Sequence, residues 1–251
     1  MIKRWGKKED GGRKEGLSRR SHRSPRKSLR AMSDPYGRSS RFYNPIVEPW
    51  LRSIKNQIVE ECVRLNLSRV LDVGCGTGTL VGMLRKEGIR AVGLDPSPGM
   101  LRVSCGNSQG SFALVRGRGE SLPFSSGSFQ GVVFSMVIHE NLPCRRRELL
   151  EDALRVLDPR GTLFILDYNK PSTATGQAAR MIEYLVEWVV GGEHFGNYRQ
   201  FMEEGALSGF LAHIPKERIH WQSAFHGSMS IVRYHPEGFS LGGKDCVTTS
   251  L

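Results

Sequence analysis

Apolar residues recur at helical spacing along the segment that follows Ile46. Successive apolar positions are three or four residues apart, which places them on one face of a helix: Val47, Leu51, Ile54, Ile58, Cys62 and Leu65. Residues 1–41 show no such period and are rich in Lys, Arg, Ser and Gly. A segment of that composition buries too little apolar surface to offset the entropy of ordering, so we predict that it is disordered.

Short β-branched runs then alternate with helical periods. We predict strands over residues 69–73, 90–94, 112–115, 132–135 and 162–166, with helices starting near Leu80 and spanning about 146–157. Gly88 ends the first of these helices, and residues 158–161 read as a turn. The alternation indicates an α/β domain with a mostly parallel sheet and helices on both faces.

The alternation ends after Pro171. Residues 172–214 read as an inserted helical cap, in which Met181, Tyr184, Leu185, Trp188 and Val189 share one helix face. We interpret this aromatic stripe as the cap's own packed core, although a ligand pocket would also be lined mostly by such residues. Two alternating runs, 219–225 and 229–234, then predict a closing hairpin. The main domain is expected over 42–235, followed by a C-terminal tail over 236–251.

Three glycines follow the first strand at alternate positions. Gly74, Gly76 and Gly78 give the spacing G-x-G-x-G, and Asp95 follows Gly74 by 21 residues at the end of the second strand. Glycines at these positions allow a tight turn and a close approach of the backbone to a ligand. An acidic side chain at the end of the second strand can accept hydrogen bonds from both ribose hydroxyls of a nucleoside. The alternative for Asp95 is a helix cap.

The charge lies mostly in the N-terminal tail. The chain has a net charge of +11, of which residues 1–31, with 12 Lys/Arg and 3 Asp/Glu, supply +9. Nucleic-acid binding by the folded domain is therefore not expected. Three interpretations of the tail stay open: an arm for nucleic acid or anionic membrane, an organellar transit peptide, or an over-long start whose true initiator is Met32, which we favour.

The composition argues against a metal-binding, membrane-spanning or secreted protein. Five widely spaced cysteines without a C-x-x-C pair or a histidine cluster predict no metal site. No apolar run approaches the roughly 20 residues that span a bilayer, and no secretory signal is evident. We therefore expect a cytoplasmic protein.

Four blocks, in order, resemble the class I methyltransferases that use S-adenosylmethionine (SAM), in particular the branch of ubiquinone and menaquinone biosynthesis (methyltransferase type 11). They are V-L-D-V-G-C-G-T-G at 70–78, G-L-D-P-S at 93–97 with Met100 beyond, E-S-L-P-F at 120–124, and R-V-L-D-P-R-G-T-L at 155–163. The resemblance implies a Rossmann-like, doubly wound sheet of seven strands whose last strand is antiparallel.

The resemblance also implies roles for individual residues. The three loop glycines would pass beneath SAM, Asp72 would hold its amino group, Asp95 its ribose, and Ser135 would face its methionine tail. The other cofactor-binding positions lie in the same blocks, with the last three near the adenine: Cys75, Pro96, Met100, Gly119 and Glu120. Two positions depart from the family pattern, because Arg118 and Gln130 stand where relatives commonly carry Asp.

His139 lies where relatives often carry a histidine beside the acceptor. An imidazole with a pKa near 6.5 is suited to remove a proton, although a surface or capping role is an equal alternative. Tyr43 is a second catalytic candidate, which would close over the cofactor from the N-terminal segment. Tyr198 or His194 would line the acceptor pocket from the cap.

We expect an enzyme of class EC 2.1.1.- that transfers the methyl group of SAM to a small-molecule acceptor by in-line displacement. A quinone-like or lipid-like acceptor fits the apolar cap. Positioning supplies much of the rate enhancement in such chemistry, so the absence of a catalytic triad is not evidence against an enzyme. Two alternatives stay open: a catalytically silent SAM-binding or partner-binding protein, and an RNA methyltransferase that uses the basic tail.

Overall fold

The computed structural model describes residues 36–237, with side chains from Trp50 onward except that of Val190. A seven-stranded sheet has the order β3-β2-β1-β4-β5-β7-β6, and only β7 runs opposite to the other six strands. The strands are β1 Arg69–Val73, β2 Arg90–Asp95, β3 Ala113–Arg116, β4 Phe129–Ser135, β5 Leu157–Tyr168, β6 Ile219–Ala224 and β7 Met229–Tyr234.

Helices connect the parallel strands and form the insertion after β5. They are α1 Tyr36–Arg64, α2 Thr79–Lys86, α3 Pro98–Asn107, α4 Pro143–Val156, α5 Ala174–Val190, α6 Gly192–Glu203 and α7 Ala206–Phe210. The predicted fold class is confirmed, as a doubly wound, Rossmann-like sheet whose last strand is antiparallel. Within the described range no helix is long and apolar enough to cross a membrane.

Two segments have a different secondary structure from the one that we predicted. Helix α1 covers Tyr36–Arg64, so residues 36–41, for which we predicted disorder, are helical. The rest of that predicted tail, residues 1–35, and residues 238–251 lie outside the described range. The predicted turn at 158–161 is a bulge inside β5, because Leu157 pairs with Phe129 while Thr162 pairs with Gly131. A Cβ on Gly161 would lie 2.7 Å from the carbonyl oxygen of Gln130, so the bulge requires glycine there.

Strands β4 and β5 form the centre of the core. Both contain near-continuous apolar runs whose side chains are fully buried: Val132, Val133, Phe134, Leu163, Phe164, Ile165 and Leu166. Helices cover both faces of these strands, which explains why the runs do not alternate with polar residues. The packed core therefore holds the carboxyl ends of the parallel strands rigidly. Proteins of this architecture bind their ligands at these strand ends.

Arg146 on α4 joins the cap to the sheet. Its guanidinium is buried and donates to the carbonyl oxygens of Asn141 at 2.7 Å and Asn197 at 3.2 Å, and it pairs with Glu204 at 2.6 Å. Because Asn197 lies in α6, this side chain couples the start of α4 to the cap. Its guanidinium carbon also lies 4.9 Å from the ring centre of Phe201 in α6.

The aromatic stripe of the cap does not form its core, contrary to our interpretation. On α5, Leu185 is 52 % exposed, Trp188 60 % and Val189 77 %. The opposite face of the helix is the buried one, and it carries Glu183 and Glu187. Two buried carboxyl groups inside and an apolar face outside invert the usual amphipathic arrangement.

Replacing Arg146 with Leu should lower the free energy of unfolding by about 2–3 kcal/mol, because the carbonyl groups it serves lose their donor. The exposed neighbour Arg145 provides the control, and its replacement with Leu should change stability by no more than about 0.5 kcal/mol. Urea denaturation followed by circular dichroism measures both. Equal losses in the two variants would contradict the role given to Arg146.

Candidate functional site

The turn after β1 lies against the end of β2. The backbone N–H groups of Gly74 and Cys75 both donate to the carbonyl oxygen of Leu94, at 2.7 and 3.0 Å. Position 78 favours glycine for two reasons. Its φ of 78° is a conformation that other residues rarely adopt, and a Cβ there would lie 2.1 Å from Ser104 Oγ. The turn therefore has one defined conformation at the carboxyl edge of the sheet.

Asp95 holds this turn and the next one together. Its Oδ2 accepts from the N–H of Gly76 at 2.9 Å, and its Oδ1 accepts from the N–H of Ser97 at 2.8 Å. Ser97 in turn caps α3 by accepting from the N–H of Met100 at 3.2 Å. A carboxylate oxygen can accept more than one hydrogen bond. Asp95 is thus suited to fix the loop and to receive ribose hydroxyls at the same time.

Two observations test whether SAM fits this edge. A Cβ built on Gly76, whose φ is 53°, meets no atom within 4 Å, so the loop leaves open space above that residue. Ser135 Oγ, at the end of β4, is buried and has no hydrogen-bond partner among the described residues. The next residue, Met136, has a φ of 60°, a strained conformation for a non-glycine residue that often marks functional sites. Open space and an unsatisfied hydroxyl fit a polar ligand.

Several predicted cofactor residues act through backbone or packing. The Cys75 side chain is buried, and burial raises the pKa of its thiol far above the ordinary value. Cys75 contributes to the turn through its backbone N–H, which donates to Leu94. A Cβ on Gly119 would lie 2.3 Å from Leu149, which makes glycine a packing requirement there. Pro96 is exposed between Asp95 and Ser97, and Asp72 is buried within β1.

The two departures from the family pattern lie in different places. Arg118 pairs with the carboxylate of Glu120 at 2.6 Å, so it engages a predicted adenine-edge residue directly. Gln130 lies near the amino end of β4, where its Oε1 accepts from the N–H and the hydroxyl of Ser68 at 2.7 and 2.8 Å. Gln130 therefore holds the entry to β1, away from the carboxyl edge of the sheet.

His139 belongs to a buried polar network. Its Nδ1 lies 2.7 Å from Asp167 Oδ1, and its Nε2 lies 3.7 Å from Glu187 Oε1. Asp167 also accepts from the backbone N–H groups of Ile138 and Tyr168, both at 2.8 Å. The Tyr168 hydroxyl donates to Glu187 at 2.7 Å. The network thus joins the segment after β4, the end of β5 and helix α5.

The network sets the charge of His139. Burial alone would lower its pKa, but the Asp167 carboxylate, aided by Glu187, raises the pKa of His139 to about 9. The ring is therefore protonated at neutral pH, and its side chain is only 1 % exposed. A protonated, buried imidazole has no lone pair to accept an acceptor's proton.

A narrow apolar groove lies beside this network, between α1 and α5. Its walls are almost entirely apolar or aromatic: Trp50, Leu51, Ile54, Tyr168, Ile182, Val186, Phe225 and Met229. Glu183 is the one ionisable carboxyl group of the lining. Its Oε1 accepts from Ser228 at 2.5 Å, and its Oε2 is buried without a hydrogen-bond partner among the described residues. Burial, with the nearby charge of Glu187, raises the pKa of Glu183 to about 8.

The remaining candidates are placed as follows. Tyr43 lies in α1, but its side chain is outside the described part of the chain. Tyr198 is buried with its ring centre 5.1 Å from that of Tyr168, so it packs behind the network. His194 lies 4.0 Å from Glu140, and burial lowers its pKa to about 4. Neither Tyr198 nor His194 lines the groove.

Sequence reasoning missed the carboxyl groups of this region. Asp167, Glu183 and Glu187 stand alone in segments that read as a strand or a helix, and no local motif marks them. The one available signal was the pair of acidic residues four positions apart in α5, which helical geometry places on one face. No group of three or more metal-ligating side chains occurs in the described range.

Comparison with known proteins gives consistent matches. The family model for a methyltransferase domain matches residues 71–165. An uncharacterised methyltransferase of Synechocystis is 36 % identical over 105 residues, which cover 41 % of this chain and 49 % of that protein. A demethylmenaquinone methyltransferase of Thermotoga maritima is 30 % identical over 59 % of this chain and 65 % of its own length. The chain thus spans about half to two thirds of these relatives.

A solved SAM-dependent methyltransferase from Thermotoga maritima shares the fold. It superposes with a TM-score of 0.56 and 16 % sequence identity, covering 81 % of this chain and 99 % of that one. At this identity the likeness concerns the architecture alone.

Replacing Asp95 with Ala should abolish measurable binding of SAM, because the carboxylate both ties Gly76 in place and supplies the predicted ribose acceptor. The expected loss of affinity is at least about 100-fold, as for other lost charged hydrogen bonds. Isothermal titration calorimetry measures it, with Glu87→Ala, an exposed change at the end of α2, as the control. Unchanged affinity in the Asp95 variant would refute the assigned ribose site.

Stability should fall as pH rises through the titration of His139. Its pKa is raised from 6.5 to about 9 on folding, so the stabilisation is complete below 6.5 and is lost as pH approaches 9. Glu183, raised from 4.5 to about 8, acts in the same direction. Urea denaturation between these limits should give a shallower slope for His139→Gln than for the wild type. The exposed change His213→Gln should keep the wild-type slope, and parallel slopes for all three proteins would contradict the assignment.

Proposed function

We propose that this chain, which matches a methyltransferase-domain model over residues 71–165, is a SAM-dependent methyltransferase of the ubiquinone- and menaquinone-like branch, and that it methylates an apolar small-molecule acceptor bound in the groove between α1 and α5. Its family and fold imply SAM as the methyl donor. The observation that carries the proposal is the open space over Gly76 beside the Asp95 carboxylate, at the carboxyl edge of the sheet.

Different residues at this edge would bind different parts of the cofactor. The loop from Gly74 to Gly78 would support it from below, Asp95 would hold the ribose and Ser135 would meet its amino-acid end. SAM, when bound, supplies a methyl group already activated by a positively charged sulfur. The protein then has to position the acceptor and exclude water, and such positioning contributes roughly 7–11 kcal/mol to lowering a barrier.

The groove is the proposed acceptor site because Tyr168, one of its lining residues, packs against the segment that follows β4, and an acceptor in the groove would have to extend past these side chains to meet the methyl group. Val137 lies against Gly74, so closely that a Cβ on that glycine would meet it at 2.5 Å. His139, two residues later, packs its ring 4.7 Å from that of Tyr168, which lines the groove. Apolar walls with one carboxyl group suit an apolar acceptor that carries a hydroxyl or carbonyl group, as a quinone-like or lipid-like molecule does.

For His139 we favour a positioning role over the predicted role as a base. The ring is held by Asp167 and protonated at neutral pH, so it fixes the segment that joins Ser135 to α4. Methyl transfer needs a base only when the acceptor must lose a proton. Glu183, whose Oε2 has no partner among the described residues, is the group in the groove suited to bind the acceptor's polar atom.

Filling the groove should block the acceptor and leave the cofactor site intact. Val186 lines the groove, so Val186→Trp should lower kcat/KM for the acceptor at least about tenfold by occluding its apolar site. Val189, on the same helix but 77 % exposed, provides the matched control Val189→Trp, which should stay within about twofold. Transfer of tritium from methyl-labelled SAM to hydroquinones and hydroxybenzoates, with and without prenyl chains, is the assay.

The same assay addresses the alternatives. SAM binding without transfer to any acceptor of the panel favours the catalytically silent reading, and transfer to RNA favours the RNA methyltransferase. Equal activity of Val186→Trp and wild type would show that the acceptor binds elsewhere.

A further inference from the structure

Helix α5 presents an exposed apolar face to solvent. Six of its large hydrophobic side chains are at least 40 % exposed: Met181, Ile182, Tyr184, Leu185, Trp188 and Val189. They lie at spacings of three, four and seven residues, so they form one continuous strip along the helix. Contiguous exposed apolar surface on a folded protein usually marks an interaction site.

The acidic groups of α5 lie away from this face. The charged residues of α5 are Arg180, Glu183 and Glu187, and both glutamates are buried on the opposite side of the helix. Arg180 is half-buried. Exposed Leu and Trp side chains stabilise a protein only when their apolar surface is removed from water. The exposed face of α5 would therefore be stabilised by contact with another apolar phase.

The strip continues into the mouth of the groove. Ile182 belongs both to the exposed strip and to the groove lining, and Trp50, across the groove on α1, is 44 % exposed. A molecule held in an apolar phase against α5 would reach the groove without crossing water. This continuity favours a phase that holds apolar small molecules over a rigid protein partner.

When residues 1–31 are part of the chain, its charge points the same way. Residues 1–31 carry a net charge of +9, whereas the rest of the chain carries +2. Clusters of Lys and Arg are attracted to the anionic headgroups of membranes, and Trp and Tyr are enriched at the boundary between headgroups and acyl chains. Two copies of this chain carry the same positive charge, so this charge does not favour their association.

We propose that the exposed face of α5 docks onto an anionic lipid bilayer, with the strip from Met181 to Val189 inserted at the headgroup boundary and the groove opening toward the lipid. This is a peripheral contact by a helix that lies in the plane of the membrane surface. It rests in part on the proposed function, because the continuity of the strip with the groove is what favours a lipid phase over a protein partner.

The test is flotation of the full chain with vesicles of phosphatidylcholine and phosphatidylglycerol at a ratio of about 3:1, a mixture with an anionic surface. The variant Leu185→Glu/Trp188→Glu should bind at least about tenfold more weakly, because two inserted apolar side chains are replaced by charges. The matched control Val63→Glu/Val103→Glu places the same charges at exposed valines of α1 and α3 and should bind like the wild type.

SAM titration of all three proteins separates this proposal from the proposed function. Variants that keep SAM affinity are folded, so a loss of vesicle binding in the α5 variant alone supports the docking face. Equal flotation of that variant and the wild type would overturn the proposal, since the basic tail would then account for all binding. Failure of the wild type to float would also overturn it. Sedimentation velocity would then identify self-association if the α5 variant alone dissociates a dimer.

Discussion

The carboxylate of Asp95 is the interaction on which the cofactor edge depends. Two segments far apart in sequence, the turn after β1 and the start of α3, meet on its two oxygens through Gly76 and Ser97. Backbone N–H groups satisfied in this way keep the glycine turn open above Gly76. The same side chain is the proposed acceptor for the ribose hydroxyls, so one residue would support both the shape of the loop and its chemistry.

A second carboxylate, that of Asp167, connects the end of the sheet to the cap. It accepts hydrogen bonds from Ile138 and Tyr168 and pairs with His139, which approaches Glu187 of α5. A buried network of this kind is stable only when its members are satisfied together, so the cap and the end of the sheet have to assemble as one unit. The groove lies against that unit, with Tyr168 contributing to both.

The sequence predicted the sheet, and the position of the glycine turn and Asp95 at its carboxyl edge, because these signals are local. Each strand is a short β-branched run between turn residues, and the glycine turn with Asp95 has a fixed spacing. The buried network was not predictable, since Asp167, Glu183 and Glu187 meet only through tertiary contacts. The periodicity of α5 identified an apolar face but not whether it points inward, and this face is exposed. Residues 36–41 include Gly37, Ser39 and Ser40, weak helix formers that made this part of α1 hard to predict.

Methyl transfer from SAM to an apolar small molecule is the central claim of this account. The most direct test supplies the wild-type chain with methyl-tritiated SAM and a bacterial lipid extract, and then measures tritium in the organic phase. Label that enters the organic phase with the wild type, and does not do so with Asp95→Ala, is the predicted result. Label that stays entirely in the aqueous phase, with SAM binding intact, would contradict the claim.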